Sequence, residues 1–143
     1  MAEHAPSVPD RVQEPPTPSL LRTLRSFRFA GEGLAYLART QPNFRVHLVA
    51  MVAVIVLALG LGASTVEIGV LLLSIGLVLL GEAMNTAVEA VVDLSTAVVH
   101  PLAKIAKDVA AAGVLIAAAI AALTGLAVLG PRLLSLLAQL VAE

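Results

Sequence analysis

Three long apolar stretches with almost no charge inside them limit this chain to very few architectures. Leu48 to Val66 holds no Asp, Glu, Lys or Arg. Ile68 to Gly81 continues the pattern until Glu82, Glu89 and Asp93 interrupt it before Val99, and Val109 to Leu129 is again free of charge. A helix of ~20 apolar residues crosses the ~30 Å hydrocarbon of a bilayer, where only helices and closed barrels can satisfy their own backbone groups. The sequence therefore predicts an all-α membrane protein with spans at about 43–66, 67–99 and 104–130. Composition agrees: 59% of residues are hydrophobic, only 13% are charged and the mean hydropathy is +0.95, against about 45–50% and about 25% in soluble domains. A water-soluble enzyme with a large internal core is excluded. The lack of cysteine rules out disulfides, thiolate metal sites and cysteine nucleophiles. Nine basic against ten acidic residues leave a net charge of −1 and no overall basic footprint for nucleic acid. The length allows one domain.

The flanks differ in character. Residues 1–19 carry Pro6, Pro9, Pro15, Pro16 and Pro18 among small and polar residues, which predicts a disordered tail because such a segment buries too little apolar surface to offset its ordering entropy. It lacks the basic start and apolar run of a signal peptide. Over residues 20–40, Leu20, Leu21, Leu24, Phe27 and Phe29 interleave with Arg22, Arg25, Arg28 and Arg39. That pattern predicts an amphipathic helix on the membrane surface, bent or interrupted at Gly31-Glu32-Gly33; a soluble helix docked on a partner fits the same pattern. Gly130-Pro131 predicts the end of the third span, leaving residues 131–143 as a C-terminal tail. Six arginines precede the charge-free stretch at Leu48, none lies between Gly60 and Glu67, Lys104 and Lys107 lie between spans two and three, and Arg132 alone follows the third. The positive-inside rule then places the N-terminus and second loop in the cytoplasm, with the first loop and C-terminus outside.

Chemistry concentrates at the inner end of the second span. Glu82, Asn85, Glu89 and Asp93, spaced by three, four and four residues, fall on one helix face. A carboxylate facing lipid costs several kcal/mol, so these groups should face a bundle interior, a cavity or water. The bland reading is interhelical hydrogen bonding. Depth favours a site: from Val66, Glu82 lies ~24 Å along the helix at ~1.5 Å per residue, just inside the inner hydrocarbon boundary, with Glu89 and Asp93 nearer cytoplasmic water. The stripe thus runs from the level of a lipid headgroup to that of a soluble cosubstrate. Lys104, Lys107 and Asp108 begin the next helix, an antiparallel neighbour able to approach Glu89 and Asp93; a solvated cationic helix end is the plain alternative. Carboxylates for a divalent cation beside a lysine for phosphate oxygens are the parts of phosphoryl transfer. No G-x-x-x-x-G-K-[ST] occurs, so no P-loop is involved. His4, His47 and His100 are too scattered for a metal cluster, and His47 reads as a helix-end residue.

Glu82-Ala-Met-Asn-Thr-Ala-Val-Glu-Ala-Val-Val-Asp93, His100-Pro-Leu-Ala-Lys-Ile-Ala-Lys-Asp108 and Ala110-Ala-Ala-Gly-Val-Leu115 resemble the small integral-membrane bacterial diacylglycerol/undecaprenol kinases. Asn43-Phe-Arg-Val-His47 and Ser26-Phe-Arg-Phe-Ala-Gly-Glu-Gly33 resemble them too. The likeness covers about residues 20–130. It implies a homotrimer of three-span protomers, each with an N-terminal surface helix, that uses ATP and Mg2+ to phosphorylate a membrane lipid alcohol. By resemblance Glu82 is the general base, Glu89 binds the metal and Asn85 supports the site beside the nucleotide. Lys107 and Asp108 contact nucleotide, with Arg22 and His100 matching positions near it, while Asp93 and Lys104 assist. Where the family usually has a second metal-binding Glu, this chain has Gln41 followed by Pro42. A neutral ligand there implies weaker magnesium binding or a shifted ligand set, with Glu32 able to compensate only if the surface helix folds back. The N-T-A and H-P-L-A-K-x-A-K-D forms favour undecaprenol over diacylglycerol. Two other classes stay open: a proton-coupled transporter built on membrane glutamates, which needs no Lys107-Asp108 pair, and a non-catalytic lipid-binding scaffold.

Overall fold

A computed structural model describes residues 19–95 and 100–142, with side chains from Thr23 onward. The expected disordered tail, apart from Ser19, lies outside the described residues. Four helices follow in order, α1 (Ser19–Thr40), α2 (Pro42–Gly60), α3 (Thr65–Ser95) and α4 (Pro101–Ala142), and no strand occurs among the described residues. The last three are each long and apolar enough to cross a membrane, as the charge-free stretches require. The residues up to Leu34 and those from Ala35 onward form two compact units.

Within the first unit, Arg28 Nε donates to Glu32 Oε1 at 3.0 Å and the guanidinium lies 5.8 Å from the Phe29 ring centroid. The Gly31-Glu32-Gly33 step does not interrupt α1, contrary to the expectation from its glycines. The helix stops at Thr40 because Pro42 forces the residue before it out of the helical region; Gln41 is extended, at φ −103° and ψ 105°. Pro42 then opens α2 at a position where a missing N–H costs nothing.

The turn between α2 and α3 is closed by three devices. The Ala63 N–H reaches Ala58 O at 2.9 Å and the Gly62 N–H reaches Leu59 O at 3.1 Å. This Schellman ending needs a left-handed residue, supplied by Gly62 at φ +66°. It ends α2 at Gly60, earlier than the charge-free stretch suggests. Next, the Ser64 N–H donates to Glu67 Oε2 at 2.7 Å while the Glu67 N–H donates to Ser64 Oγ at 3.3 Å, a capping box that starts α3. Third, Arg132 of α4 donates to both Glu67 oxygens, at 3.2 and 2.7 Å, and to the carbonyls of Leu61 and Gly62 at 3.2 and 2.8 Å. A small core of Ala58, Leu71 and Leu129 includes residues from all three helices.

Gly130-Pro131 does not end the helix of the third span: α4 runs through Pro131 to Ala142. Pro131 forfeits one backbone bond, and the helix continues past it. The longest packing seam joins α3 to α4, with α2 lying mainly on α3. At that seam a Cβ on Gly81 would stand 3.6 Å from the Val114 Cα. Elsewhere large apolar side chains, among them Val49, Leu73, Leu115 and Leu123, stay exposed.

Candidate functional site

Helical spacing puts Glu82, Asn85, Thr86 and Glu89 on the face of α3 that packs inward. Glu82 is 4% exposed and Thr86 is nearly as buried. From α2, Asn43 and His47, one turn apart, meet Glu82 and Asn85 around a pocket of about 330 Å³. The rest of its wall is hydrocarbon: Val46, then Ala111, Val114, Leu115 and Ala118 of α4. His47 Nε2 stands 3.4 Å from Glu82 Oε1, a pairing distance longer than the ~2.7–3.2 Å of a settled N–H···O bond.

One turn further along, Asn85 Nδ2 donates to Glu89 Oε1 at 3.1 Å. That bond fixes the orientation of the amide and leaves Asn85 Oδ1 buried without a partner, as is Thr86 Oγ1. Unpartnered buried polar atoms are uncommon and call for an explanation. The Asn85 amide turns its N–H toward Glu89; with the amide reversed, Oδ1 and the Glu89 carboxylate would be hard oxygen donors of the kind magnesium takes, since that ion needs only one or two protein carboxylates besides phosphate and water. No group of three metal-ligating side chains occurs among the described residues, so the fit rests on this smaller set.

Beyond Glu89, Lys107 Nζ of α4 contacts Asp93 Oδ1 at 2.5 Å. The antiparallel approach of α4 to the acidic stripe is therefore present. The pairing differs from that suggested by adjacency in sequence: Lys107 pairs with Asp93, and Asp108 with Lys104 one turn earlier. Adjacent residues point about 100° apart on a helix, whereas residues four apart face each other.

Gln41 and His100 make no hydrogen bond to this cluster among the described residues. Gln41 is the N-cap residue of α2 without a side-chain capping bond, and no hydrogen bond joins it to Glu89 among the described residues. His100 Nδ1 accepts from the Leu102 N–H at 3.2 Å, acting as a cap on α4. The Arg22 side chain lies outside the described residues, and Glu32 is held by Arg28 within its own helix.

Sequence reasoning read His47 as a helix-end residue and gave Asn43 and Thr86 no role in the site. The available signal was the i, i+4 pair Asn43 and His47, polar residues at the entrance to a stretch otherwise made of hydrocarbon. His47 also stands at one end of an apolar groove of about 620 Å³ running along α2, α3 and α4 past Met51, Val54, Val78 and Leu126 to Leu129. The arrangement therefore joins an apolar trough, a buried carboxylate and a cation-lined helix end.

Comparison with known proteins bears on the same region. The family described as prokaryotic diacylglycerol kinase matches residues 28–129. A diacylglycerol kinase of Synechocystis sp. is 48% identical over 115 residues, covering 80% of this chain and 66% of that protein. An undecaprenol kinase of Bacillus subtilis is 41% identical over 114 residues, covering 80% of this chain and 93% of its own. A diacylglycerol kinase of Escherichia coli K12 is 32% identical over 108 residues, covering 76% and 88%.

Proposed function

The chain belongs to the prokaryotic diacylglycerol kinase family, a lipid kinase of the membrane, and from that premise we propose that it transfers the γ-phosphoryl group of ATP to undecaprenol, forming undecaprenyl phosphate. The observation that carries this reading is the buried Glu82 carboxylate in a pocket that shares His47 and Ala118 with the apolar groove, on the same stripe of α3 as the Asp93 that pairs with Lys107. The hydroxyl of a long lipid alcohol can lie beside Glu82 with its tail in hydrocarbon, while nucleotide reaches Glu89, Lys107 and Asp108 from the aqueous end. Diacylglycerol as acceptor is the second reading, favoured by the name of the 48% identical Synechocystis relative.

In the proposed reaction Glu82 accepts the proton of the lipid hydroxyl as its oxygen bonds to the γ-phosphorus. The bond from that phosphorus to the bridging oxygen breaks, and ADP leaves. Glu89 and Asn85 Oδ1 would hold Mg2+, which when bound neutralises charge on the β- and γ-phosphates. Lys107, freed from or shared with Asp93, supplies a further positive charge to the phosphate oxygens, while Asp108, Asn85 and, by resemblance, His100 and Arg22 lie toward the nucleotide. Catalysis of this kind is largely positioning and charge neutralisation. The basic residues flanking the spans support a multi-pass protein in the cytoplasmic membrane with its N-terminus in the cytoplasm. The resemblance supports a homotrimer.

The test incubates the purified full chain in mixed micelles with labelled ATP and magnesium, with undecaprenol or diacylglycerol as acceptor. Labelled undecaprenyl phosphate formed at the higher kcat/KM supports the first reading, and preferential labelling of diacylglycerol replaces it by the second. Label in neither lipid refutes both and leaves a transporter or scaffold.

A further inference from the structure

Glu82 has a single polar contact among the described residues, and it comes from another helix. One turn to either side on α3 stand Val78, which offers no donor, and Thr86, whose hydroxyl bonds to nothing. Asn85 directs one amide N–H at Glu89 and makes no hydrogen bond to Glu82 among the described residues. The wall contributed by α4 is hydrocarbon throughout, and Asn43 on α2 makes no bond to the carboxylate. What remains is His47, whose Nε2 is 3.4 Å from Glu82 Oε1.

We propose that His47 is the positioning residue of Glu82: an Nε2–H directed at Oε1 fixes the rotation of the carboxylate and leaves Oε2 to receive the proton of the lipid hydroxyl. This rests on the lipid kinase reading above. A carboxylate in an apolar wall needs a donor to hold one geometry, and a reacting group must be held in place before it can act as a base. The imidazole suits the task by location, because His47 lines both the apolar groove and the polar pocket. It therefore stands where a lipid hydroxyl passes from one to the other. Contacts of this kind are often long without substrate and shorten in the reacting complex, which accounts for 3.4 Å.

The experiment measures kcat and both KM values for the full chain in the same mixed micelles, with His47→Leu and His47→Gln. Leu keeps the bulk and removes the donor, whereas the Gln amide reaches about as far as the imidazole and restores one. The expected result is a kcat lowered ~10–100-fold by His47→Leu, or about 1.4–2.7 kcal/mol of barrier, with KM for ATP and lipid changed less than ~2-fold. His47→Gln should recover most of that loss. In a Glu82→Gln background, His47→Leu should add no further loss, because a residue acting only through Glu82 is not additive with it.

A kcat within about 2-fold of the wild type for His47→Leu overturns the assignment. So does a Gln variant as impaired as Leu, or a full additive loss in the double variant. If His47→Leu does not fold, His47→Asn takes its place in the cycle, since its shorter amide cannot reach the carboxylate and must show the same kcat loss. A wild-type protein that labels no lipid overturns the kinase reading itself, an outcome distinct from an active enzyme indifferent to His47.

Discussion

Replacing Glu82 by Gln separates what the carboxylate does for chemistry from what it does for the fold. The amide keeps the shape and an acceptor for His47 but cannot take a proton. General bases contribute ~10²–10⁴ in rate, which is about 2.7–5.4 kcal/mol at 1.36 kcal/mol per tenfold. For Glu82 we expect the upper half of that range. Glu82 is 4% exposed, so bulk water does not replace it, and Glu89 lies about 10 Å away along the helix at ~1.5 Å per residue. Stability should move the other way or not at all. A buried carboxylate with one long contact to a mostly buried imidazole is poorly compensated for its lost hydration, so a neutral amide in its place should leave stability unchanged or slightly raised. Turnover is read from labelled phosphate transfer at saturating ATP and lipid, nucleotide affinity from equilibrium dialysis, and the fold from circular dichroism melts, the chain having no tryptophan. Retention of more than about a tenth of the wild-type turnover would refute the role, since a loss below ~1.4 kcal/mol is too small for a sole base. A parallel drop in melting temperature and nucleotide affinity would show instead that Glu82 supports the structure.

Two further substitutions probe the parts around it. Gln41→Glu adds an anionic oxygen at the N-cap of α2, and should lower the magnesium concentration that gives half-maximal rate; an unchanged magnesium curve removes Gln41 from the metal site. Arg132→Gln breaks the bidentate pair with Glu67 and both bonds to the turn carbonyls. It should lower the melting temperature in detergent while leaving turnover per folded molecule unchanged, because Glu67 lies ~22 Å along α3 from Glu82. In the double variant Arg132→Gln with Glu67→Gln, the losses should not add.

The three spans were legible because missing charge needs no knowledge of packing. Their ends were not, since those depend on turn chemistry and on lipid. Gly62 closes α2 through a backbone motif that tolerates the apolar residues around it, and Pro131 lies inside α4 without closing it. The stripe from Glu82 to Asp93 was legible from spacing alone. Which of its members touches which partner was not. The Lys107–Asp93 contact depends on the register between two helices, and His47 meets Glu82 across a separation of 35 positions that no periodicity within one helix reveals.

The unpartnered Asn85 Oδ1 and Thr86 Oγ1 carry a thermodynamic consequence. Each buried polar atom left without a partner weighs against the folded state by about 1–3 kcal/mol. A bound species that supplies a donor or a cation to Asn85 Oδ1 removes part of that burden, and by mass action its occupancy raises the free energy of unfolding, by about 2.7 kcal/mol at a hundredfold excess over Kd. Melting temperature followed against Mg-ATP concentration then becomes a binding isotherm, obtained without any lipid being turned over.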